Sequence, residues 1–351
     1  MTTLNDKTFR RKPQTTSGEM QTTAKLKGLA KIWREIKRPF RRLFDFCESY
    51  NKPSLYGKPR SLIIDTTILC NTCCSFCWRK TQPDYLKKVN WAYSDIHTMD
   101  FETYKKIIDD AIQYNSIKWF SLCGPMGEPL LNENIELFFE YANAKQHFKT
   151  IVINTNGLAI GKRDIDKLLN NITEFSVSVD SINPDTYGKI HGSDKYLPVV
   201  IENIKKLIDY KKKHGALAEI VVRFTENELN KGEFPEFERY FSDIGIDRIN
   251  YTKIHGFAGV HKDMRNSETA SRCIQILNVI NFNFKGDMTT CCVNWQLEPT
   301  FGNIRSQTIK EMWHGHLMKR WLENLLSTEP CKDCSGLGEH VQKQGLKHKR
   351  P

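Results

Sequence analysis

A chain of 351 residues with 39% hydrophobic and 26% charged residues has apolar material for one large or two ordinary globular domains, which excludes a disordered or low-complexity polypeptide. No apolar run approaches the roughly 20 residues that span a bilayer, and the polar N-terminus lacks the apolar stretch of a secretory signal. The net charge of +11 sits in the ends: residues 1–57 hold 13 Lys/Arg against 5 Asp/Glu, residues 341–351 hold 4 against 0, and the body is balanced at 35 against 36.

Residues 1–22 are polar and read as disordered. From Ala24 to Cys47, Leu26, Leu29, Ile32, Trp33, Ile36, Phe40, Leu43 and Phe44 recur at helical spacing among Lys and Arg, with Pro39 placed to kink the helix. Such a helix either packs its apolar face on the body or docks at an interface or partner. From Pro59 the pattern alternates. Strands are predicted at 61–66, 117–122, 149–154, 174–180, 218–224 and 247–253, with helical stretches at 101–114, 135–144, 199–213 and 235–244. These βα units predict a parallel sheet covered by helices, and periodicity leaves open whether it is a doubly wound sheet or a curved partial barrel.

Directly after the first strand stand Cys70, Cys74 and Cys77, spaced C-x3-C-x2-C, with Cys73 outside the pattern. Three thiolates on one loop can hold three irons of a 4Fe-4S cluster and leave the fourth open to a small molecule. Zinc sites instead pair C-x2-C elements and want four closed ligands. Eleven cysteines, largely in ligand-like groups and without an export signal, point to a reducing cytoplasm and metal chemistry rather than disulfides. After the second strand comes Gly124-Pro125-Met126-Gly127-Glu128-Pro129, after the third Asn154-Thr155-Asn156-Gly157, and on the fourth Ser176-Val177-Ser178-Val179-Asp180.

The cysteine spacing, the aromatic Phe76 before its last member and the ordered strand-end segments resemble the radical S-adenosylmethionine (radical SAM) superfamily. The resemblance implies an α/β fold, a partial (β/α)6 TIM-like barrel, with its cofactors at the carboxyl ends of the strands. It further implies a cluster on Cys70, Cys74 and Cys77, and S-adenosylmethionine bound near Phe76, Gly124, Gly127, Glu128, Asn154, Asn156, Ser178 and Asp180. In the family the open iron chelates S-adenosylmethionine, whose reductive cleavage gives a 5'-deoxyadenosyl radical. One departure is Lys189-Ile190-His191-Gly192, where many relatives have Arg before the glycine.

A second cysteine set follows the sixth strand. Cys273 precedes an alternating stretch from Ile280 to Phe284, a turn at Lys285-Gly286-Asp287 and a returning strand from Met288 to Cys291, and Cys331-Lys332-Asp333-Cys334 closes the set. A helix with a Thr308-x-x-Glu311 capping box carries a stripe of Ile309, Trp313, Leu317, Trp321 and Leu325, read as core packing. This arrangement resembles the SPASM/twitch extension of radical SAM enzymes. The resemblance implies one auxiliary 4Fe-4S cluster on Cys273, Cys291, Cys331 and Cys334, with Cys292 packing. A closed zinc site on the same four thiolates is the alternative.

The chain thus divides into a basic extension at 1–57, a radical SAM core at 58–260, a SPASM/twitch domain at 261–340 and a basic tail at 341–351. The resemblance extends to the deoxy-scyllo-inosamine dehydrogenase class, which implies two-electron oxidation of a small molecule such as a sugar or aminocyclitol alcohol by a cytoplasmic enzyme fed by a flavodoxin- or ferredoxin-type electron donor. Tyr251, Lys253 and His255 are candidate proton acceptors by position. The alternatives are a peptide or protein side-chain modifying enzyme, whose leader-binding winged domain residues 1–57 are too short to form, and a non-catalytic zinc or nucleic-acid-binding protein. Nucleic-acid modules interleave basic and aromatic residues on the binding surface, and the neutral body argues against that partner.

Overall fold

The computed structural model describes residues 58–85, 87, 97–123, 126–254, 256, 260, 275–324, 331 and 334. The N-terminal amphipathic helix, Gly124, His255, Cys273, Leu325 and the basic tail named above lie outside them.

Six strands, β1 (Ser61–Ile64), β2 (Trp119–Leu122), β3 (Thr150–Thr155), β4 (Glu174–Ser178), β5 (Glu219–Glu226) and β6 (Arg248–Lys253), lie side by side in chain order and all parallel. They are linked by α1 (Phe101–Ala111), α2 (Ile135–Ala144), α3 (Ile165–Asn171), α4 (Pro184–His191), α5 (Tyr196–His214) and α6 (Phe234–Ile244). A doubly wound sheet reverses its strand order at a switch point and carries helices on both faces. Here the order never reverses, so right-handed crossovers place the helices on one face.

The side chains agree with that topology. On the helix side Leu62, Ile64, Phe120, Leu122, Ile151, Ile153, Phe175, Val177, Ile220, Val222 and Phe224 are each at most 2% exposed. Burying a side chain of this kind contributes about 1.5 to 3 kcal/mol. The register puts Ser121, Asn154, Ser176 and Arg223 on the opposite face. At the amino ends of the strands that face is closed by Arg248, 2.5 Å from Glu174 and 3.2 Å from Glu219. A sheet with one apolar, helix-covered face and one polar face is the partial (β/α)6 barrel, and the doubly wound alternative falls away.

Helix termini follow local chemistry. Asp100 caps α1 by accepting from the Thr103 N–H at 2.7 Å, and Asn183 caps α4 ahead of Pro184.

The segment after β6 joins the same sheet. β7 (Val279–Phe282) pairs parallel to β1, β8 (Asp287–Thr289) returns antiparallel to β7, and β9 (Thr300–Asn303) is antiparallel to β8. The predicted hairpin is present, with Gly286 at φ +83° in its turn, a conformation L side chains rarely adopt. Arg305 ties this segment to α1 through Asp100 at 2.5 Å and Thr103 at 2.9 Å.

The predicted capping box on Thr308 and Glu311 is formed, but the helix after it breaks at His314 and Gly315 into α7 (Ile309–Trp313) and α8 (His316–Glu323). The break shifts the phase of the stripe. Ile309, Trp313 and Trp321 are buried, whereas Leu317 is 46% exposed and Met318 takes the inward position.

Candidate active site

The cysteine loop leaves the carboxyl end of β1 and ends where Cys77 precedes the helical turn Trp78–Thr81. Cys70, Cys74 and Cys77 are half-buried, and Cys73 is exposed. The Thr72 Oγ1 lies 3.3 Å from Cys70 Sγ and 3.7 Å from Cys74 Sγ, and the Cys77 N–H donates to the Cys74 carbonyl at 3.0 Å. Arg79 locks the loop to the segment after β2 by donating to the carbonyls of Ile68 at 2.8 Å and Met126 at 3.1 Å.

These residues fit a cluster. Burial pushes the Cys70 thiol up and carries Cys77 to about 12, with the neighbouring cysteines adding repulsion. Three thiolates so placed need cationic compensation of the kind iron gives. Among the described residues no three ligating side chains close on a single ion, whereas a cluster seats each cysteine on a different iron.

Behind the loop, Gly127 is required by close approach: a Cβ there would meet the Thr67 and Leu69 carbonyl oxygens at 2.4 and 2.5 Å. Glu128 is 3% exposed, and its carboxylate accepts from Thr155 Oγ1 at 2.5 Å and from the N–H groups of Asn156 at 2.7 Å and Leu130 at 3.1 Å. Asn156 in turn donates to Asn71 Oδ1 at 2.7 Å within the cysteine loop. Phe76 and Ser178 are half-buried at the same end of the sheet.

Asp180 lies deeper than the other predicted site residues. It sits at φ +62° and is 1% exposed, with Oδ1 accepting from the Thr225 N–H at 2.6 Å and Oδ2 lying 3.3 Å from His191 Nε2. The other His191 nitrogen, Nδ1, is 3.4 Å from Cys74 Sγ. Burial opposes charge on this imidazole, but Asp180 and Cys74 outweigh it and hold its pKa up at about 10.

Sequence reasoning named Asn154 but missed Arg223, Ser121, Cys123 and Asp65, which share the polar floor of the half-barrel with it. Arg223 on β5 donates to Asn154 Oδ1 at 3.0 Å, Asn154 donates to Ser121 Oγ at 3.3 Å, and Ser121 reaches Cys123 Sγ at 3.3 Å. Asp65 lies on this face just past β1, 7% exposed and with its pKa pushed well up by burial. No carboxylate of the described residues is within ion-pair distance of Arg223. The signal was alternation within the strands: Arg223 and Asn154 are polar residues one step from fully buried ones. By the same rule Tyr251 pairs with Phe224 and packs on Phe234 with ring centroids 4.8 Å apart, toward the helices, while Lys253 is 75% exposed beside Glu226. Neither faces the floor.

In the second cysteine set Cys291 is buried, Cys292, Cys331 and Cys334 are half-buried, and the Cys334 N–H donates to the Cys331 carbonyl at 3.2 Å. The two cysteine regions adjoin. Trp78, next to Cys77, stacks on Trp295 with centroids 6.0 Å apart, and Tyr85 meets the same indole edge-on at 4.9 Å.

A singly wound parallel half-barrel with a three-cysteine loop beyond its first strand defines a radical SAM enzyme. Residues 64–237 match the radical SAM superfamily and residues 273–335 match the SPASM iron-sulfur cluster-binding domain. The chain belongs to the radical SAM superfamily and carries a SPASM domain. That membership brings a 4Fe-4S cluster, S-adenosylmethionine and auxiliary iron-sulfur chemistry. The GTP 3',8-cyclase of Desulforamulus reducens is 27% identical over 199 residues, covering 57% of this chain and 55% of its own, so the chain spans about half the length of the curated relatives it matches. Streptococcus suis SuiB, solved with precursor peptide SuiA, superposes with a TM-score of 0.59 at 13% identity, covering 79% of this chain and 70% of SuiB. The enzyme anSMEcpe with bound AdoMet and Cp18Cys peptide gives 0.52 at 14% identity, covering 82% and 93%. At those identities the likeness is one of fold. No helix among the described residues is long and apolar enough to cross a membrane.

Proposed function

We propose that the enzyme oxidises a small polar molecule, a sugar, aminocyclitol or related alcohol, by two electrons. The observation that carries this reading is the polar floor: Arg223, Asn154, Ser121 and Ser176 line the face opposite the helices, and the Ser176 hydroxyl is buried without a protein partner. A half-buried guanidinium and amide beside a buried, unpartnered hydroxyl suit a hydroxylated ligand, because leaving that hydroxyl unpaired is costly. Cys70, Cys74 and Cys77 hold the first cluster in this reading, and Cys273, Cys291, Cys331 and Cys334 hold the auxiliary one. Phe76, Gly124, Gly127, Glu128, Asn154, Asn156, Ser178 and Asp180 build the S-adenosylmethionine pocket. Glu128 and Asp180 act there through Asn156 and His191.

When bound, these groups supply the 5'-deoxyadenosyl radical and an acceptor for the electron left on the substrate. Turning a secondary alcohol into a ketone then releases a hydrogen atom, an electron and the hydroxyl proton. The chain's part is to orient the C–H bond, with Arg223 as a donor to substrate oxygens, and to exclude water. The reductant is a flavodoxin- or ferredoxin-type protein.

A second reading, peptide or protein side-chain modification, is supported by the fold likeness to SuiB and anSMEcpe, both solved with peptides. Anaerobic turnover with S-adenosylmethionine, dithionite and substrates deuterated at the alcohol carbon separates the two. Deuterium in 5'-deoxyadenosine together with a ketone product supports the alcohol reading, and transfer only from a deuterated peptide overturns it.

A further inference from the structure

We propose that His191 is a positioning residue for the first cluster, donating an N–H···S hydrogen bond from Nδ1 to the Cys74 sulfur and so setting the potential at which that cluster is reduced. The inference rests on the reading that Cys70, Cys74 and Cys77 hold that cluster.

The geometry fixes both ring nitrogens. Nε2 lies 3.0 Å from the Val179 carbonyl oxygen and 3.3 Å from Asp180 Oδ2, two acceptors, so Nε2 carries hydrogen. Nδ1 lies 3.4 Å from Cys74 Sγ. A sulfur bonded to iron has no hydrogen to offer, so this contact is favourable only as donation from Nδ1. The ring lies between the Cys74 sulfur and the Asp180 carboxylate, at the C-terminus of α4, where the helix dipole favours hydrogen-bond donors.

The imidazole is also held rigidly. His191 is 2% exposed, and the Tyr187 ring lies against it at a centroid distance of 4.4 Å. Asp180 is fixed by the Thr225 N–H at 2.6 Å and by Asn230 Nδ2, which donates to its carbonyl at 2.7 Å. The residue before His191 grips the loop as well, since the Ser75 N–H donates to the Ile190 carbonyl at 2.7 Å. A hydrogen bond to a ligating sulfur draws negative charge from the cluster and makes adding an electron easier. Removing it makes the cluster harder to reduce. The histidine standing where many relatives have arginine thus faces a cysteine of the cluster loop.

The test uses full-length, iron-reconstituted enzyme and an EPR-monitored redox titration of the reduced-cluster signal that changes on adding S-adenosylmethionine. In His191→Phe the one-electron reduction constant should fall about tenfold, equivalent to ~59 mV. His191→Gln, which keeps an amide donor, should recover part of it. In wild-type enzyme labelled with 15N-histidine, pulsed EPR should show a nitrogen coupling to the reduced cluster that disappears in His191→Gln. Full iron with an unchanged potential in His191→Phe overturns the inference. If His191→Phe loses its iron, the wild-type coupling decides: its presence supports the inference and its absence overturns it. Iron content unaltered by the triple substitution Cys70/Cys74/Cys77→Ala would instead overturn the underlying cluster reading.

Discussion

The Glu128 carboxylate accepts a hydrogen bond from the Asn156 N–H at 2.7 Å, joining the loop after β2 to the end of β3. Because Asn156 also reaches Asn71, one buried acid positions two strand ends and the cysteine loop. Glu128→Ala removes these acceptors and leaves the Thr155 hydroxyl hydrogen and the Asn156 and Leu130 N–H groups without theirs. Each lost charge-assisted bond is worth roughly 1.5 to 3 kcal/mol to the junction, so the variant should melt lower, and S-adenosylmethionine affinity should fall as Asn156 loses its anchor. Iron content should stay near wild type, since Glu128 touches no cysteine sulfur. Equilibrium dialysis and iron analysis measure the latter two effects, and full affinity would remove Glu128 from the pocket.

Gly127→Ala acts by sterics at the same junction. Its Cβ would lie 2.4 Å from the Thr67 carbonyl oxygen, and backbone cannot yield as a side-chain tip can. Overpacking of this kind costs about 1 to 3 kcal/mol. The variant should melt several degrees lower and retain less iron on the cysteine loop after desalting. A melting temperature and iron content equal to wild type would show that the junction relaxes.

Asp65 should reveal itself in the pH dependence of stability. Burial raises its folded pKa well above the ordinary value, with the Met126 N–H at 3.4 Å as weak compensation. The sign follows from linkage. Its favourable contribution is complete below the unfolded pKa of about 4 and is lost as pH rises through the raised folded pKa. Asp65→Asn does not titrate, so its melting temperature should gain on wild type as pH rises from about 4 through the raised folded pKa, with the two converging near pH 4. A constant difference across that range would refute the assignment.

Counting thiolates gives a metal prediction. Two 4Fe-4S clusters amount to about eight irons per chain after reconstitution. The triple substitution Cys70/Cys74/Cys77→Ala should keep about four and lose all cleavage of S-adenosylmethionine. Stoichiometric zinc with little iron would contradict the cluster assignment.

Cys334→Ala separates an electron-accepting auxiliary cluster from a structural one. The variant should still cleave S-adenosylmethionine, while formation of oxidised product should drop steeply. A folded variant with wild-type product yield would exclude the acceptor role. Circular dichroism accompanies the assay because metal binding and folding are coupled.

What the sequence determined is local. Strand spans at 61–66 and 149–154 matched β1 and β3 within two residues because alternation and β-branched runs are written in neighbouring positions. The cysteine loop was equally legible, since C-x3-C-x2-C is complete within eight residues. The tertiary structure decided what depends on residues far apart in the chain. Strand order excluded the doubly wound sheet, because helix placement follows from which strands adjoin. Leu317 turned outward because one break at Gly315 rephased a stripe that spacing alone carried onward. The pairing of His191 with Cys74 spans 117 positions, and no period or motif encodes it. It arises only when the end of α4 folds back over the loop after β1, where burial forces each polar group to find a partner.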